Sequence, residues 1–281
     1  MAYTKVYWRP SQIPTGALVV LAIISLAGMI MVETMRRQDT IADYGMMVDT
    51  ARQAEDAMAY IRDLRQKMRR IDADVDPLDS GMIGVSSSPV TSLAGHLPAK
   101  QTTINPNWAA VALKMLRDAG VEKDDVVAVA VSGSFPALNL AAYIALEQLG
   151  VRPIVIASGS ASQWGANVPG LIWIDMSREL RAAGLINIKE VAGSLGGAED
   201  RGVGVSDRGK DVIRLAIKRA DVQFLLPATL DEAVAKRIAL YSKYAGRKPI
   251  RAYINIGGGT ASTGPPAIDQ YFEPGLITSA V

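Results

Sequence analysis

The stretch VVAVAVSGSFPALNL, residues 126–140, decides the fold of this chain. Six apolar residues, Val126–Val131, form a continuous run, which is typical of a strand buried on both faces of a sheet. The small polar loop Ser132–Ser134 follows, and Pro136 opens an apolar segment that ends before Gly150. Proline in the first turn and glycine after the last turn predict a helix over Pro136–Leu149. A buried strand, a tight turn and a helix are the unit from which parallel sheets are built.

The same alternation continues along the chain on both sides of this stretch. Helices are predicted at Trp108–Ala119, Ser177–Ala183, Asp207–Arg219 and Asp231–Tyr244. Strands are predicted at Pro153–Ala157, Leu171–Ile174, Glu190–Ala192, Val222–Leu226 and Ile250–Ile256. We therefore expect an α/β fold with a mainly parallel, Rossmann-like layered sheet in residues 80–281.

A charge-free apolar segment, residues 13–32, follows an N-terminal flank of residues 1–12. Its core, GALVVLAIISLAGMIMV, is close to the length needed to cross a bilayer. The exit, Val-Glu-Thr-Met-Arg-Arg, has no small-x-small cleavage pattern, which favours an uncleaved anchor over a signal peptide. We expect a single-pass protein of the cell membrane with lipid as the partner of residues 13–32. An extracytoplasmic globular domain is also expected, although the basic residues on the two sides nearly balance.

A long charged segment, residues 33–79, is predicted to form an amphipathic helical stalk. Its apolar residues recur at a spacing of three and four, which leaves two interpretations open. The stripe forms either a dimeric coiled coil, which would make the chain a homo-oligomer, or the contact of a helix with its own domain. The series Asp72-x-Asp-x-Asp76 resembles a calcium loop, but Pro77 replaces the required glycine, so we interpret it as a helix terminus.

The composition excludes several classes of protein. The formal net charge of +2 gives no indication of nucleic-acid binding. The chain has no cysteine and one histidine, His96, so thiolate chemistry, cysteine metal sites and multi-histidine metal sites are excluded. No Gly-Lys-Ser/Thr occurs and no Gly-x-Gly-x-x-Gly opens a helix, so no cofactor is predicted.

Four small, hydroxyl-rich loops follow predicted strands, at Ser132–Ser134, Ser158–Ser162, Ser194–Gly197 and Gly257–Ser262. Carboxyl ends of parallel strands meet at one edge, where ligands bind, so these loops are expected to line one crevice. The charged cluster Glu199, Asp200 and Arg201 could supply acid–base groups, but a run of this kind more often forms a solvated loop. The predicted ligand-binding residues are Ser132, Gly133, Ser134, Ser160, Trp164, Asn167, Gly196, Gly197, Gly257, Gly258, Gly259 and Thr260.

Three roles for the loop after the first strand remain open. Ser134 could only cap the following helix, or the helix start could bind a carboxylate or phosphate. The third role is covalent catalysis, for which the candidates are Ser134 and Ser132 with Lys100 as the base. The surroundings of Ser134 are not Gly-x-Ser-x-Gly, and only His96 is available for an ordinary triad.

Five runs in this part of the chain resemble the poly-γ-glutamate system protein family. They are LPAKQTTINPNWAA (97–110), VSGSFPALNLA (131–141), SASQWGANVPGLIWIDM (160–176), SLGG (194–197) and INIGGGTAS (254–262). The resemblance implies a membrane anchor ahead of a globular domain, beside the membrane machinery that makes and exports an anionic capsule polymer. It implies no catalytic residue, and it leads us to expect that C-terminal elements of the domain are missing here.

Three functions are therefore expected as alternatives. The first is a membrane-anchored component that binds poly-γ-glutamate or the synthase subunits, with Lys100, Arg201 and Arg208 near the polymer carboxylates. The second is a serine-dependent hydrolase or transferase acting on γ-glutamyl amide bonds. The third is a binding module for a small anionic or nucleotide ligand.

Overall fold

The computed structural model describes residues 13–35, 43–68, 71–257, 259–264 and 275–278. These residues form a mixed α/β structure with a parallel sheet of five strands and an N-terminal apolar helix. The helices are α1 (Thr15–Thr34), α2 (Tyr44–Met68), α3 (Leu97–Thr103), α4 (Trp108–Asp118), α5 (Pro136–Leu149), α6 (Trp173–Ala182), α7 (Asp207–Ala220), α8 (Leu230–Ala245) and α9 (Thr260–Thr263). The strands are β1 (Thr91–Leu93), β2 (Val126–Ser132), β3 (Arg152–Ser158), β4 (Ala161–Ser162), β5 (Asn167–Val168), β6 (Leu171–Ile172), β7 (Ala192–Ser194), β8 (Gln223–Leu225) and β9 (Ile250–Ile256).

The five-stranded sheet has the order β8-β7-β3-β2-β9, and all its pairs are parallel. Strands β2, β3, β7 and β8 follow one another toward one edge, whereas β9 lies on the other side of β2. The strand order therefore reverses between β2 and β9. All seven residues of β2 are buried, as its continuous apolar run predicts.

The two faces of the sheet are covered by different helices. Side chains alternate along a strand, so Val127 and Val129 face one side while Val126 and Ala128 face the other. The first side belongs to the larger core, which includes residues of α2, α4, α5, α6 and α7. On the second side, Leu240 of α8 packs against the sheet.

Helix α5 is buried on nearly every side, because it lies between the sheet and other helices of the larger core. Its bounds are those predicted from Pro136 and Gly150, and Gly150 ends it with a left-handed φ of 66°. The helix begins directly after the loop Ser132–Ser134, so a rigid element fixes that loop at the edge of the sheet.

One predicted strand, Leu171–Ile174, is wrong in its second half. Leu171 and Ile172 pair with β5 in a short antiparallel hairpin, and α6 already begins at Trp173. A four-residue apolar run does not distinguish a strand from the first turn of a buried helix. The predicted strand Glu190–Ala192 also lies too early, because the pairing residues are Ala192–Ser194.

Helix α2 packs onto the domain that carries the sheet. Ala54, Ala57 and Ile61 are buried in the larger core, and Gln53 Nε2 donates to the Leu185 carbonyl at 3.0 Å. The structure therefore agrees with the second interpretation of the stalk, a helix that contacts its own domain. The compact unit spans Gly45–Val281, so the predicted division between residues 79 and 80 falls inside it.

Helix α1 belongs to a separate compact unit, Met1–Tyr44. By length and composition it could cross a membrane, and none of its 20 residues is buried. An N-terminal signal sequence would meet the same criteria. The predicted flank, residues 1–12, and the stalk residues 36–42 and 69–70 lie outside the described residues.

Candidate functional site

The carboxyl edge of the sheet gathers the four predicted loops. Ser132, Ser158 and Ser194, the last residues of β2, β3 and β7, stand in register across the sheet. Backbone bonds continue this contact beyond the strands: Gly133 N donates to the Ser160 carbonyl at 3.1 Å. Ser160 N in turn donates to the Leu195 carbonyl at 3.1 Å. The loops after three neighbouring strands therefore form one continuous rim.

The loop after β9 joins this rim where the strand order reverses. Ser132 Oγ donates to the Gly257 carbonyl at 2.7 Å and accepts from Ser134 N at 3.2 Å. A Cβ on Gly257 would lie 2.3 Å from Ser132 Oγ, so only glycine allows this approach. Asn139 Nδ2 donates to the Ser132 carbonyl at 2.7 Å. The hydroxyl of Ser132 therefore joins the loop after β2 to the loop after β9.

Lys100 of α3 reaches into the rim between the loops after β2 and β3. Its Nζ donates to the Ser134 carbonyl at 2.5 Å and to Ser162 Oγ at 2.9 Å. The same Nζ lies 3.5 Å from the centroid of the Phe135 ring. The residue is 4% exposed, and burial lowers the pKa of Lys100 to about 8. We call Lys100, Ser134 and Ser162 the lysine cluster.

The hydroxyl of Ser134 completes the lysine cluster. It accepts a hydrogen bond from Ser162 N at 3.1 Å, and its residue is half-buried. Gly165 packs against this loop, and a Cβ there would lie 2.5 Å from the Gly133 carbonyl. These contacts hold Ser162 of β4 next to the loop that opens α5.

A buried ion pair lies at the same edge of the sheet, beside β3 and β7. Arg237 of α8 donates from Nη2 and Nε to Asp200 Oδ2 at 2.8 and 3.0 Å. Its Nη2 also reaches the hydroxyls of Ser158 and Ser194 at 3.2 and 3.1 Å. Ser194 Oγ donates to Asp200 Oδ1 at 2.6 Å. We call these four residues the arginine cluster.

The arginine cluster corrects the interpretation of Asp200 as part of a solvated loop, whereas Glu199 and Arg201 are exposed as that interpretation expects. Asp200 is 3% exposed, because the turn at Gly196 and Gly197 folds its carboxylate back onto Ser194 and Arg237. Both glycines have positive φ, of 72° and 73°. A side chain at Gly196 would lie 2.4 Å from Ser160 Oγ.

The loop after β9 also contacts this region. Thr260 Oγ1 accepts a hydrogen bond from Glu199 N at 3.1 Å, which ties α9 to the loop after β7. Gly259 caps the start of α9 and accepts from Ser262 Oγ at 2.9 Å. Gly258, another predicted ligand-binding residue, lies outside the described residues.

Two predicted binding residues have mainly structural contacts. Asn167 is fully buried, and its amide is bonded to the Val85 N–H, the Val85 carbonyl and Thr91 Oγ1 at 2.8, 2.7 and 2.9 Å. Trp164 is half-buried against the larger core and exchanges backbone bonds with Gly84 and Val85. Its φ of 65° is unusual for an aromatic residue.

The predicted cations other than Lys100 lie on the surface. Arg201 is paired with Glu199 at 3.0 Å, and Arg208 is exposed on the first turn of α7. His96 is exposed at the start of α3.

The sequence did not single out Ser162, Ser158, Ser194, Asp200 and Arg237 as one constellation. Ser162 and Ser158 stand in the serine-rich run 158–162, whose composition was a signal, but nothing in the chain marks which serine meets Lys100. Arg237 occupies a buried position of α8, which only its packing against the sheet reveals.

Comparison of the chain with family models, curated proteins and solved structures finds no match. The candidate site is therefore interpreted from its own chemistry. Among the described residues, no group of three or more histidine, aspartate or glutamate side chains is placed to hold a metal ion. Serine hydroxyls and one buried amine converge instead, which suits recognition or activation of a carboxyl or carboxamide group.

Proposed function

We propose that this chain is a membrane-anchored component of a poly-γ-glutamate synthesis or export system, and that the carboxyl edge of its sheet binds the polymer. The observation that carries the proposal is the convergence of the loops after β2, β3, β7 and β9 on one edge of the sheet, with the buried Lys100 between the first two. The choice of polymer rests on the resemblance of five runs between residues 97 and 262 to the poly-γ-glutamate system protein family.

The chemistry of the edge suits a polymer with one carboxylate per unit. A lysine ammonium forms strong hydrogen bonds with carboxylates, and a helix start adds N–H donors and a partial positive charge. Helix α5 starts at this edge with Phe135 as its cap, and Phe135 forms no side-chain cap hydrogen bond. The proposal also includes a Rossmann-like sheet. The reversal of strand order between β2 and β9 supports this, since ligands of such sheets bind where the order reverses.

The proposal also covers how the chain is attached to the membrane and on which side the sheet domain lies. Residues 13–32 would anchor the chain in the cell membrane as a single span, with the sheet domain on the extracytoplasmic side, where an exported polymer emerges. The length and apolar composition of α1 support the anchor. Synthase subunits in the same membrane would then be neighbours of the chain.

Binding of labelled poly-γ-glutamate to the full-length protein in detergent tests the proposal. We expect binding that weakens as salt is added, because the contacts are between charges. Lys100→Met should weaken binding about tenfold or more, since a hydrogen bond to a charged group is lost. Lys114→Met is the matched control, because Lys114 is an exposed lysine of α4 paired with Asp118.

Two results would contradict the proposal. One is the absence of polymer binding by the folded wild-type protein. The other is thermal stabilisation by a nucleotide but not by the polymer, which would favour the small-ligand alternative, since a ligand of the native state raises apparent stability.

A further inference from the structure

We propose that Lys100 and Ser162 form a serine–lysine pair that carries out acyl transfer, with Ser162 as the nucleophile and Lys100 as the base. The pair would cleave or transfer a carboxamide. That the amide is a γ-glutamyl bond rests on the function proposed above, whereas the pair itself does not depend on that function.

The first step concerns the choice of serine. Lys100 Nζ lies 2.9 Å from Ser162 Oγ, which is hydrogen-bonding distance for a base and its nucleophile. The same Nζ meets Ser134 through the carbonyl of that residue, and the Ser134 hydroxyl accepts from Ser162 N instead. The Ser132 hydroxyl donates to the Gly257 carbonyl. Of these three hydroxyls, Ser162 has the one bonded to the lysine.

The second step concerns the protonation of the lysine. A base must be neutral, and burial lowers the pKa of Lys100 to about 8, so part of the protein carries a free amine near neutral pH. The contacts of Nζ with other elements are Ser134, Phe135 and Ser162, none of which is charged. In the described part of the chain, Lys100 forms no ion pair that would hold it protonated.

The third step concerns orientation. The Ser134 carbonyl accepts a hydrogen bond from Lys100 Nζ, which holds the amine beside the Ser162 hydroxyl. Ser162 is half-buried and Lys100 is buried, so the serine is the more accessible member of the pair.

The proposed reaction needs no reagent other than the amide and either water or an amine. Neutral Nζ takes the proton of the Ser162 hydroxyl as Oγ bonds to the carbonyl carbon of the amide. The C–N bond then breaks, and the ammonium of Lys100 gives its proton to the leaving nitrogen, which leaves an ester on Ser162. Water attacks this ester, Nζ accepts its proton and returns it to Ser162 Oγ, and a carboxylic acid is released. An attacking amine in place of water forms a new amide.

A fluorophosphonate probe tests the pair on the full-length protein in detergent, because it reacts with activated serine hydroxyls without requiring the natural substrate. We expect labelling that mass spectrometry locates at Ser162 and whose rate rises as the pH passes about 8. Ser162→Ala should abolish the label. Lys100→Arg preserves a cation but removes the base, and should slow labelling about a hundredfold or more. Ser242→Ala, which changes an exposed serine of α8, is the control and should label as the wild type does.

Thermal unfolding of each variant separates loss of activation from loss of folding, and Lys100→Met provides a second variant without charge. A folded wild-type protein that is not labelled would overturn the pair, as would a label on Ser132 or Ser134, or a Lys100→Arg protein that labels at the wild-type rate. Labelling of Ser162 in a protein that binds no poly-γ-glutamate would preserve the pair and overturn only the proposed substrate.

Discussion

At the scale of single residues, the buried lysine makes stability depend on pH. The pKa of Lys100 is about 8 in the folded protein and 10.5 is the ordinary value. Between these values the unfolded chain binds more protons than the folded chain, so raising the pH favours folding. We expect the contribution of Lys100 to the free energy of unfolding to rise from pH 8 to pH 10.5. The buried tyrosines Tyr143, Tyr241 and Tyr253, whose pKa values are raised by burial, act in the opposite direction near pH 10 and above, so this contribution is measured as a difference between proteins.

The comparison that isolates Lys100 is a set of urea unfolding curves of the wild type and Lys100→Met across this pH range. The difference between the two proteins should change with pH, because other titrating groups are common to both. A difference that stays constant would mean that the lysine titrates in the folded protein as it does in the unfolded chain.

The ion pair of the arginine cluster gives a second prediction at this scale. Asp200→Ala leaves the guanidinium of Arg237 buried without its carboxylate, which should cost about 3–5 kcal/mol of unfolding free energy. Replacing both partners, Asp200→Ala with Arg237→Met, should restore part of that loss. The control is Arg201→Ala, which removes the exposed pair with Glu199 and should cost at most about 1 kcal/mol. Equal losses for Asp200→Ala and Arg201→Ala would show that burial does not matter here.

At the scale of elements, α2 is predicted to contribute to the stability of the sheet domain. Ile61→Ala should lower the unfolding free energy by about 2–5 kcal/mol, because Ile61 is fully buried in the larger core. Glu55→Ala, on the exposed side of the same helix, should change it little. A helix that only formed a dimer contact would instead show a loss that depends on protein concentration, and one that packed on nothing would show little loss.

Glycine at the β9 loop gives a further prediction for the elements. Gly257→Ala should break the contact with Ser132 and loosen the β2–β9 end of the rim, in addition to the strain of a positive φ. Gly184→Ala has similar φ, of 71° against 79°, but nothing within 4 Å of the added Cβ. Chemical unfolding should therefore show a larger loss of unfolding free energy for Gly257→Ala than for Gly184→Ala. Equal losses would mean that the contact with Ser132 does not contribute to stability.

The elements differ in how well local sequence predicts them. Strand β2 and helix α5 follow from an apolar run and from Pro136 and Gly150, so their bounds agree with the prediction to within a residue. The start of α6 was missed because Leu-Ile-Trp-Ile has no period of its own. The candidate site divides in the same way: the edge of the sheet follows from strand order, whereas the contacts of Lys100 and Arg237 depend on packing between distant segments.

At the scale of the whole molecule, the proposed role of α1 as a membrane anchor gives a prediction. A full-length chain with an N-terminal tag should remain in the membrane fraction after an alkaline wash and should keep its tag. A chain that starts at residue 44 should be released into the soluble fraction, because the compact unit Gly45–Val281 contains the sheet and its core. Loss of the tag during expression would identify α1 as a cleaved signal sequence.

The position of β9 has a consequence for biosynthesis. The hydroxyl–carbonyl bond that closes the rim joins residues 125 positions apart, so its second partner leaves the ribosome 125 residues after the first. Strands β2, β3, β7 and β8 can pair while the chain is still emerging, whereas β9 must add later to the exposed edge of β2. A nascent or truncated chain that stops before β9 would therefore contain four of the five strands but lack the Ser132–Gly257 contact, so that the crevice forms only after β9 has been made.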